Sequence, residues 1–180
     1  GVLESLSGAS VDVTFISFDD IRKNGIPEDI DVIINAGDAM TAFSGGEEWA
    51  DPKLVTTIRR WVYNGGGFLG IGEPSALHHG GRFFQLADLL GVDEELGFTL
   101  STDKYFKEAL PEHFITQDRT TDFDFGESMK NIYALTEHTE IVEYSNNEVH
   151  IAANRYGKGR GVYIAGLPYS YENTRLLMRA

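Results

Sequence analysis

Val11 to Ser17 (VDVTFIS) alternates apolar and polar side chains and is rich in β-branched residues, which predicts a strand. Asp31 to Ala36 (DVIINA) is a continuous apolar run with turn residues after it. That is the pattern of a strand buried on both faces of a parallel sheet. The period then changes. Asp51 suits a helix cap and Pro52 the first helical position, while Leu54, Val55, Ile58, Trp61 and Val62 share one face. Asn64-Gly65 closes this helix. Gly67 to Gly72 reads as a second buried strand, and Arg82 to Leu90 as an amphipathic helix stopped by Gly91. Strand, strand, helix, strand, helix in that order predicts an α/β sheet.

After Gly91 the pattern weakens. Short strands are expected at His113 to Thr116, Asn131 to Leu135 and Glu140 to Tyr144. Val149 to Tyr156, the Gly157-Lys158-Gly159-Arg160 turn and Gly161 to Ala165 predict an antiparallel hairpin. Ser170 to Ala180 begins a helix with Ser170 as its cap. At the other end, GVLESLSG has the form of the last turns of a helix closed by Gly8. The expectation is a doubly wound, mostly parallel sheet with that C-terminal hairpin. Such a sheet calls for another strand and helix ahead of Gly1, so residues 1–180 read as one domain of a longer chain.

Composition narrows the possibilities. The 180 residues, 42% hydrophobic, suffice for one domain with a core. There is no cysteine, which removes disulfides, thiolate nucleophiles and cysteine-ligated zinc. No apolar run approaches the ~18 residues that suggest a membrane span. GVLESLSGAS lacks the basic segment and apolar core of a secretory leader. A net charge of −13 would repel a phosphate backbone. Neither nucleic acid nor membrane is an expected partner, and a cytoplasmic location is expected.

The candidate chemistry gathers at "GGGFLGIGEPSALHH", residues 65–79. A glycine run leads into a short strand that ends at Gly72-Glu73-Pro74-Ser75, as in strand-to-helix elbows that hold a nucleophile. The serine-hydrolase pattern Gly-x-Ser-x-Gly is absent, since Ser75 lacks both flanking glycines. Glu73 could serve as a general base, with His78 or His79 beside it, in an autonomous hydrolase. The alternative is a carboxylate held by helix N-terminal amides. Gly70-x-Gly72-x-x-Ser75 lacks the third glycine of a dinucleotide site, and no Gly-Lys-Ser/Thr is present for a P-loop. His78-His79 has no carboxylate at helical spacing, so no metal is expected. Gly157 to Arg160 could hold a phosphate through Lys158 and Arg160, but a tight hairpin turn explains its glycines without a ligand and is the favoured reading. The loop Asn35 to Pro52 would lie at the carboxyl edge of the sheet, where α/β ligands bind. Asp38, Thr41, Ser44 and Glu73 could there share a cleft for a small ligand. The competing reading is an ordered loop packed through Phe43 and Trp49.

Six segments in order carry a family resemblance: FISFDDI, DVIINAGDAMTAFSGG, GGGFLGIGEPSA, GRFFQLADLLGVDEE, LSTDKYF and YGKGRGVYIAGLPYS. Together they resemble the glutamine-amidotransferase-like domain of the galacto-N-biose/lacto-N-biose phosphorylases of glycoside hydrolase family 112. Gln117 to Asp124 is shorter than in some members, and some members act on galactosyl-rhamnose. The resemblance implies a class I amidotransferase-like, flavodoxin-like fold, with a TIM barrel before it and β-domains after it. It implies a parent that cleaves galactosyl-β-1,3-N-acetylhexosamine with phosphate, inverting to α-galactose 1-phosphate, and needs no cofactor. The acid and the sugar and phosphate ligands belong to the barrel, so no catalytic residue is carried over. Aligned on the amidotransferase motif, Gly72 stands where the cysteine would be, and Gly166-Leu167-Pro168 replaces the later His-x-Glu. The implied role is packing against the barrel and assembly of an oligomer.

Overall fold

The computed structural model describes residues 1–95, 108–110, 112–127, 131–145 and 148–180. LSTDKYF therefore lies outside the described residues. The elements begin with α1 (Val2–Leu6), α2 (Phe18–Asn24) and β1 (Val32–Gly37). A short 3-10 turn (Gly46–Ala50) leads into α3 (Pro52–Tyr63). Then come β2 (Gly67–Gly72), β3 (Ala76–His79), β4 (Arg82–Phe84), α4 (Ala87–Leu90) and β5 (Val92–Glu94). A second 3-10 turn (Phe114–Thr116) precedes β6 (Ile132–Ala134), β7 (Glu140–Ser145), β8 (Glu148–Tyr156), β9 (Gly159–Ile164) and α5 (Tyr171–Arg179).

The main sheet has the order β1-β2-β9-β8-β7. β1, β2 and β9 are parallel neighbours, and β8 pairs antiparallel with both β9 and β7. The sheet is thus mixed, with β8 alone reversed. Side chains alternate between two cores. Phe68 and Tyr163 join the apolar faces of α3 and α4, while Leu69, Ile71 and Ile164 join Leu176 and Leu177 of α5. Helices cover both faces.

The clearest sequence signals were borne out. Asp51 caps α3 by accepting from the Lys53 amide at 2.8 Å, Pro52 opens it, and Asn64 is its C-terminal cap. The β8–β9 hairpin closes at Tyr156–Gly159. Its turn docks under α3, the Lys158 amide donating to the Tyr63 carbonyl at 2.8 Å. Both glycines are needed there: Gly157 has φ +59, and a Cβ on Gly159 would stand 2.0 Å from the Val62 carbonyl oxygen. Packing of the turn explains GKGR without an anion. Ser170 caps α5, accepting from the Asn173 amide at 3.0 Å.

Other expectations need correction. Residues 11–17 form no strand, and Val11, Val13 and Phe15 are exposed. β1 is only partly buried, with Val32 54% exposed, because one of its edges has no neighbour among the described residues. Arg82 to Leu90 is a strand followed by one helical turn. His113 to Thr116 is a 3-10 turn in which the His113 ring accepts from the Ile115 amide at 3.1 Å. No helix follows the elbow; the chain leaves it as β3, paired antiparallel with β4. Phe43 is 82% exposed, whereas Trp49 is buried.

Candidate functional site

The carboxyl ends of β1 and β2 lie side by side, Gly37 opposite Gly72. The elbow turns sharply there, with φ +80 at Gly72 and +52 at Ser75. A Cβ on Gly72 would meet the Gly37 carbonyl oxygen at 3.1 Å. The same carbonyl accepts from the Glu73 amide at 3.0 Å. The position expected to carry a nucleophile is therefore closed in against β1.

Glu73 reaches back across this junction, and its Oε2 accepts from the Ala39 amide. The amide that holds the carboxylate thus comes from the neighbouring loop, not from a helix start. Among the described residues no hydrogen bond joins Glu73 to a histidine. His78 and His79 sit on β3, where adjacent side chains take opposite faces. The His78 ring packs on Phe83 at 4.8 Å between centroids.

The structure does bring Asp38, Thr41, Ser44 and Glu73 together. Two of them are spent on the loop itself. Thr41 Oγ1 donates to the Asp38 carbonyl at 2.7 Å, and Ser44 Oγ donates to the same oxygen at 2.5 Å. Ser44 is fully buried. These hydroxyls fold the loop on its own backbone, a local side-chain turn.

The residue that ties this loop to the elbow is Asn35, which stands among apolar neighbours in the sequence. It is buried. Its Nδ2 donates to the Ser44 carbonyl at 3.2 Å, and its Oδ1 accepts from the Ser75 amide at 2.9 Å. The Trp49 indole donates to the same Ser44 carbonyl. Ser75, also buried, accepts on Oγ from the Leu86 amide at 3.1 Å and on its carbonyl from the Gln85 amide at 2.9 Å. The signal for Asn35 was present as the one polar residue inside an apolar strand run.

A second anchor lies beside it. Asp93 is buried, and its Oδ1 accepts from the amides of Phe84 and Glu94 at 2.9 Å and of Phe83 at 3.3 Å. Burial pushes its carboxyl above the usual range, although these amides and Arg82 oppose the shift. Burial also raises Glu94, and the Glu73 charge adds to it. Tyr163 is fully buried, and its hydroxyl has no hydrogen-bond partner among the described residues. Burial first, then the carboxylates of Glu148, Glu73 and Glu94, push its phenol well up, so it stays protonated.

Chemically, this is a locked junction. Glu73 is engaged by a backbone amide, Gly72 offers no side chain, and the Thr41 and Ser44 hydroxyls are internally bonded. Among the described residues no group of three or more His, Asp or Glu side chains could hold a metal ion. No helix among them is long and apolar enough to cross a membrane.

The family described as lacto-N-biose phosphorylase central domain matches residues 1–180. A 1,3-β-galactosyl-N-acetylhexosamine phosphorylase of Lachnoclostridium phytofermentans is 52% identical over 181 residues, spanning 100% of this chain and 25% of that protein. One from Bifidobacterium longum is 49% identical, spanning 99% of this chain and 28% of that protein. A D-galactosyl-β-1→4-L-rhamnose phosphorylase of L. phytofermentans is 34% identical over 97% of this chain and 24% of that protein. The chain thus spans about a quarter of the length of these curated relatives. Among solved structures, a cytoplasmic protein of Salmonella typhimurium has a TM-score of 0.63 at 19% identity, covering 99% of this chain and 83% of that one. A β-galactosidase from Rahnella has a TM-score of 0.56 at 14% identity, covering 83% of this chain and 22% of that one. At these identities the similarity is one of fold.

Proposed function

The chain belongs to the lacto-N-biose phosphorylase central-domain family, and on that premise we propose that it is a non-catalytic scaffold and interface domain of a phosphorylase. The whole protein would cleave galactosyl-β-1,3-N-acetylhexosamine with phosphate, inverting at the anomeric carbon to give α-D-galactose 1-phosphate. An acid on a preceding TIM barrel would protonate the leaving oxygen while phosphate attacks the opposite face, which is the logic of inverting glycosidases. This chain would pack on that barrel and contribute to a homo-oligomer. Its sheet, covered by helices on both faces, supports a class I amidotransferase-like, flavodoxin-like ancestry in which Gly72 is the vacated nucleophile position.

The observation that carries the scaffold reading is the state of the elbow. Glu73 is bonded to the Ala39 amide, and the neighbouring Gly72 has no side chain to react. Identities of 49% and 52% to the N-acetylhexosamine enzymes, against 34% to the rhamnose enzyme, favour the former acceptor. The test is phosphate-dependent release of galactose 1-phosphate from galacto-N-biose by the full-length protein. Release from galactosyl-rhamnose alone would replace the acceptor, and release from neither would overturn the reading.

Glu73→Gln in the full-length protein keeps an acceptor for the Ala39 amide, so phosphorolysis should stay within a few fold. A loss of ~10³ or more, the scale of acid–base catalysis, would place Glu73 in the chemistry. A small-ligand cleft is the second reading, favoured by the Tyr163 hydroxyl, which has no hydrogen-bond partner among the described residues. It predicts that Tyr163→Phe changes the protein's response to a ligand, whereas the scaffold reading predicts none.

A further inference from the structure

The loop between β1 and α3 displays two large apolar side chains that its own fold does not use. Phe43 is 82% exposed and Met40 59%. The loop around them is tightly held. The Ala39 amide is taken by Glu73, the Gly45 amide donates to the Thr41 carbonyl at 2.9 Å, and Asn35 and Trp49 both donate to the Ser44 carbonyl. A Cβ on Gly37 would stand 3.0 Å from the Phe43 Cβ, so the base of Phe43 abuts the end of β1 while its ring stands in solvent. Met40 takes φ +59, a left-handed backbone that is uncommon for a residue with a Cβ. A slack loop would let these side chains fold back on the protein. Here the backbone holds them out, which is how an aromatic or methionine anchor is preorganised for an interface.

Charge narrows what can cover them. Between Lys23 and Lys53 the sequence has seven Asp and Glu residues and no Lys or Arg. Arg22 pairs with Glu48 and Asp51. Asp38 and Glu47 flank the two anchors, are exposed, and have no ion-pair partner among the described residues. The stretch that leaves β9 at the same edge of the sheet adds Tyr169 and Tyr171, both exposed. Two such edges face to face would set acid against acid, which disfavours a symmetric pairing of copies. The complement is an apolar socket rimmed by Lys or Arg. This chain spans 25% and 28% of two curated relatives, so most of a polypeptide of that length lies outside it and can supply such a socket in cis.

We propose that Met40 and Phe43 are the anchors by which this domain docks on another part of its own polypeptide, outside residues 1–180, which presents an apolar socket with a basic rim. The docking rests on the scaffold role argued above and gives that role a surface. It assigns neither residue a part in the reaction.

Photo-cross-linking of the full-length protein tests it. The photoreactive residue p-benzoylphenylalanine is placed at position 43 and, as a control, at position 64 on the opposite edge of the sheet. A denaturing gel separates cross-links within one polypeptide from those between copies, and mass spectrometry reads the joined peptide. Position 43 should join, within one polypeptide, to a peptide outside residues 1–180 that carries Lys or Arg beside apolar residues. Position 64 should reach that peptide at least ~10-fold less, as a site away from the buried centre of an interface. Joining to a second copy, joining within residues 1–180, or a yield no higher than at position 64 would each overturn the docking. Hydrogen exchange gives a second reading. The peptide reached from position 43 should exchange about tenfold faster in Phe43→Asp and close to the wild-type rate in Phe43→Leu; equal rates in both variants would overturn it. Neither readout involves galactose 1-phosphate, so the docking can fail with the assigned reaction intact, or stand with that reaction refuted.

Discussion

Asn35 shows how one amide side chain can hold a junction. It satisfies the Ser75 amide and the Ser44 carbonyl at once, both buried among apolar side chains. Asn35→Ala leaves the Ser75 amide without a partner, and an unsatisfied buried group costs roughly 1–3 kcal/mol. Denaturant unfolding of the full-length protein should show a loss of about that size in the transition that includes this domain. Asp93 makes a different prediction. Its carboxyl sits above the usual range because it is buried, so between about pH 4, where an unfolded aspartate titrates, and its folded value the native state holds the extra proton. Stability contributed by Asp93 is therefore complete below about pH 4 and declines as pH rises through that window. Asp93→Asn keeps an oxygen for the Phe84 and Glu94 amides but cannot titrate. The difference between wild type and variant should change with pH in this sense; a flat difference would show that Asp93 is not shifted. Both residues were hard to read from the sequence because their roles depend on amides brought in from distant positions. A lone Asn in an apolar run signals burial but not its partners.

Elements with local causes were legible and those with distant causes were not. α3 has its cap, its proline and its apolar stripe within its own residues, and the β8–β9 hairpin carries its turn glycines. Arg82 to Leu90 shows the opposite case. Its apolar spacing suits a helix, yet the amides of Phe83 and Phe84 are both taken by the Asp93 carboxylate. With those donors committed, only Ala87–Leu90 completes a helical turn. Asn154 then stabilises its end, donating to the Asp88 and Leu89 carbonyls at 3.0 and 3.2 Å. Tertiary partners override propensity in such short segments. The hairpin offers the prediction at this scale. Gly159→Ala places a methyl 2.0 Å from the Val62 carbonyl and 2.3 Å from that of Gly66, both rigid backbone. Overpacking of this kind costs about 1–3 kcal/mol or more, so the melting temperature should fall clearly. Lys158→Ala, which alters only the side chain at the turn tip, should leave it nearly unchanged.

At the scale of the whole molecule the sheet is asymmetric. On one side it continues through β9 into the β8 and β7 pairings; on the other, among the described residues, β1 is the last strand. An open edge with apolar side chains is a template for pairing with other chains. Val32 on that edge is 54% exposed, while a net charge of −13 opposes self-association at low salt. The 180-residue chain made alone should therefore be monomeric at low ionic strength and associate as salt screens that charge, since the apolar edge is unaffected by screening. Val32→Lys places a charge on that exposed edge and should abolish the salt-induced association while leaving the melting temperature nearly unchanged. Sedimentation at two salt concentrations, on wild type and variant, checks this. If the variant associates as readily as the wild type, the edge of β1 is not the contact.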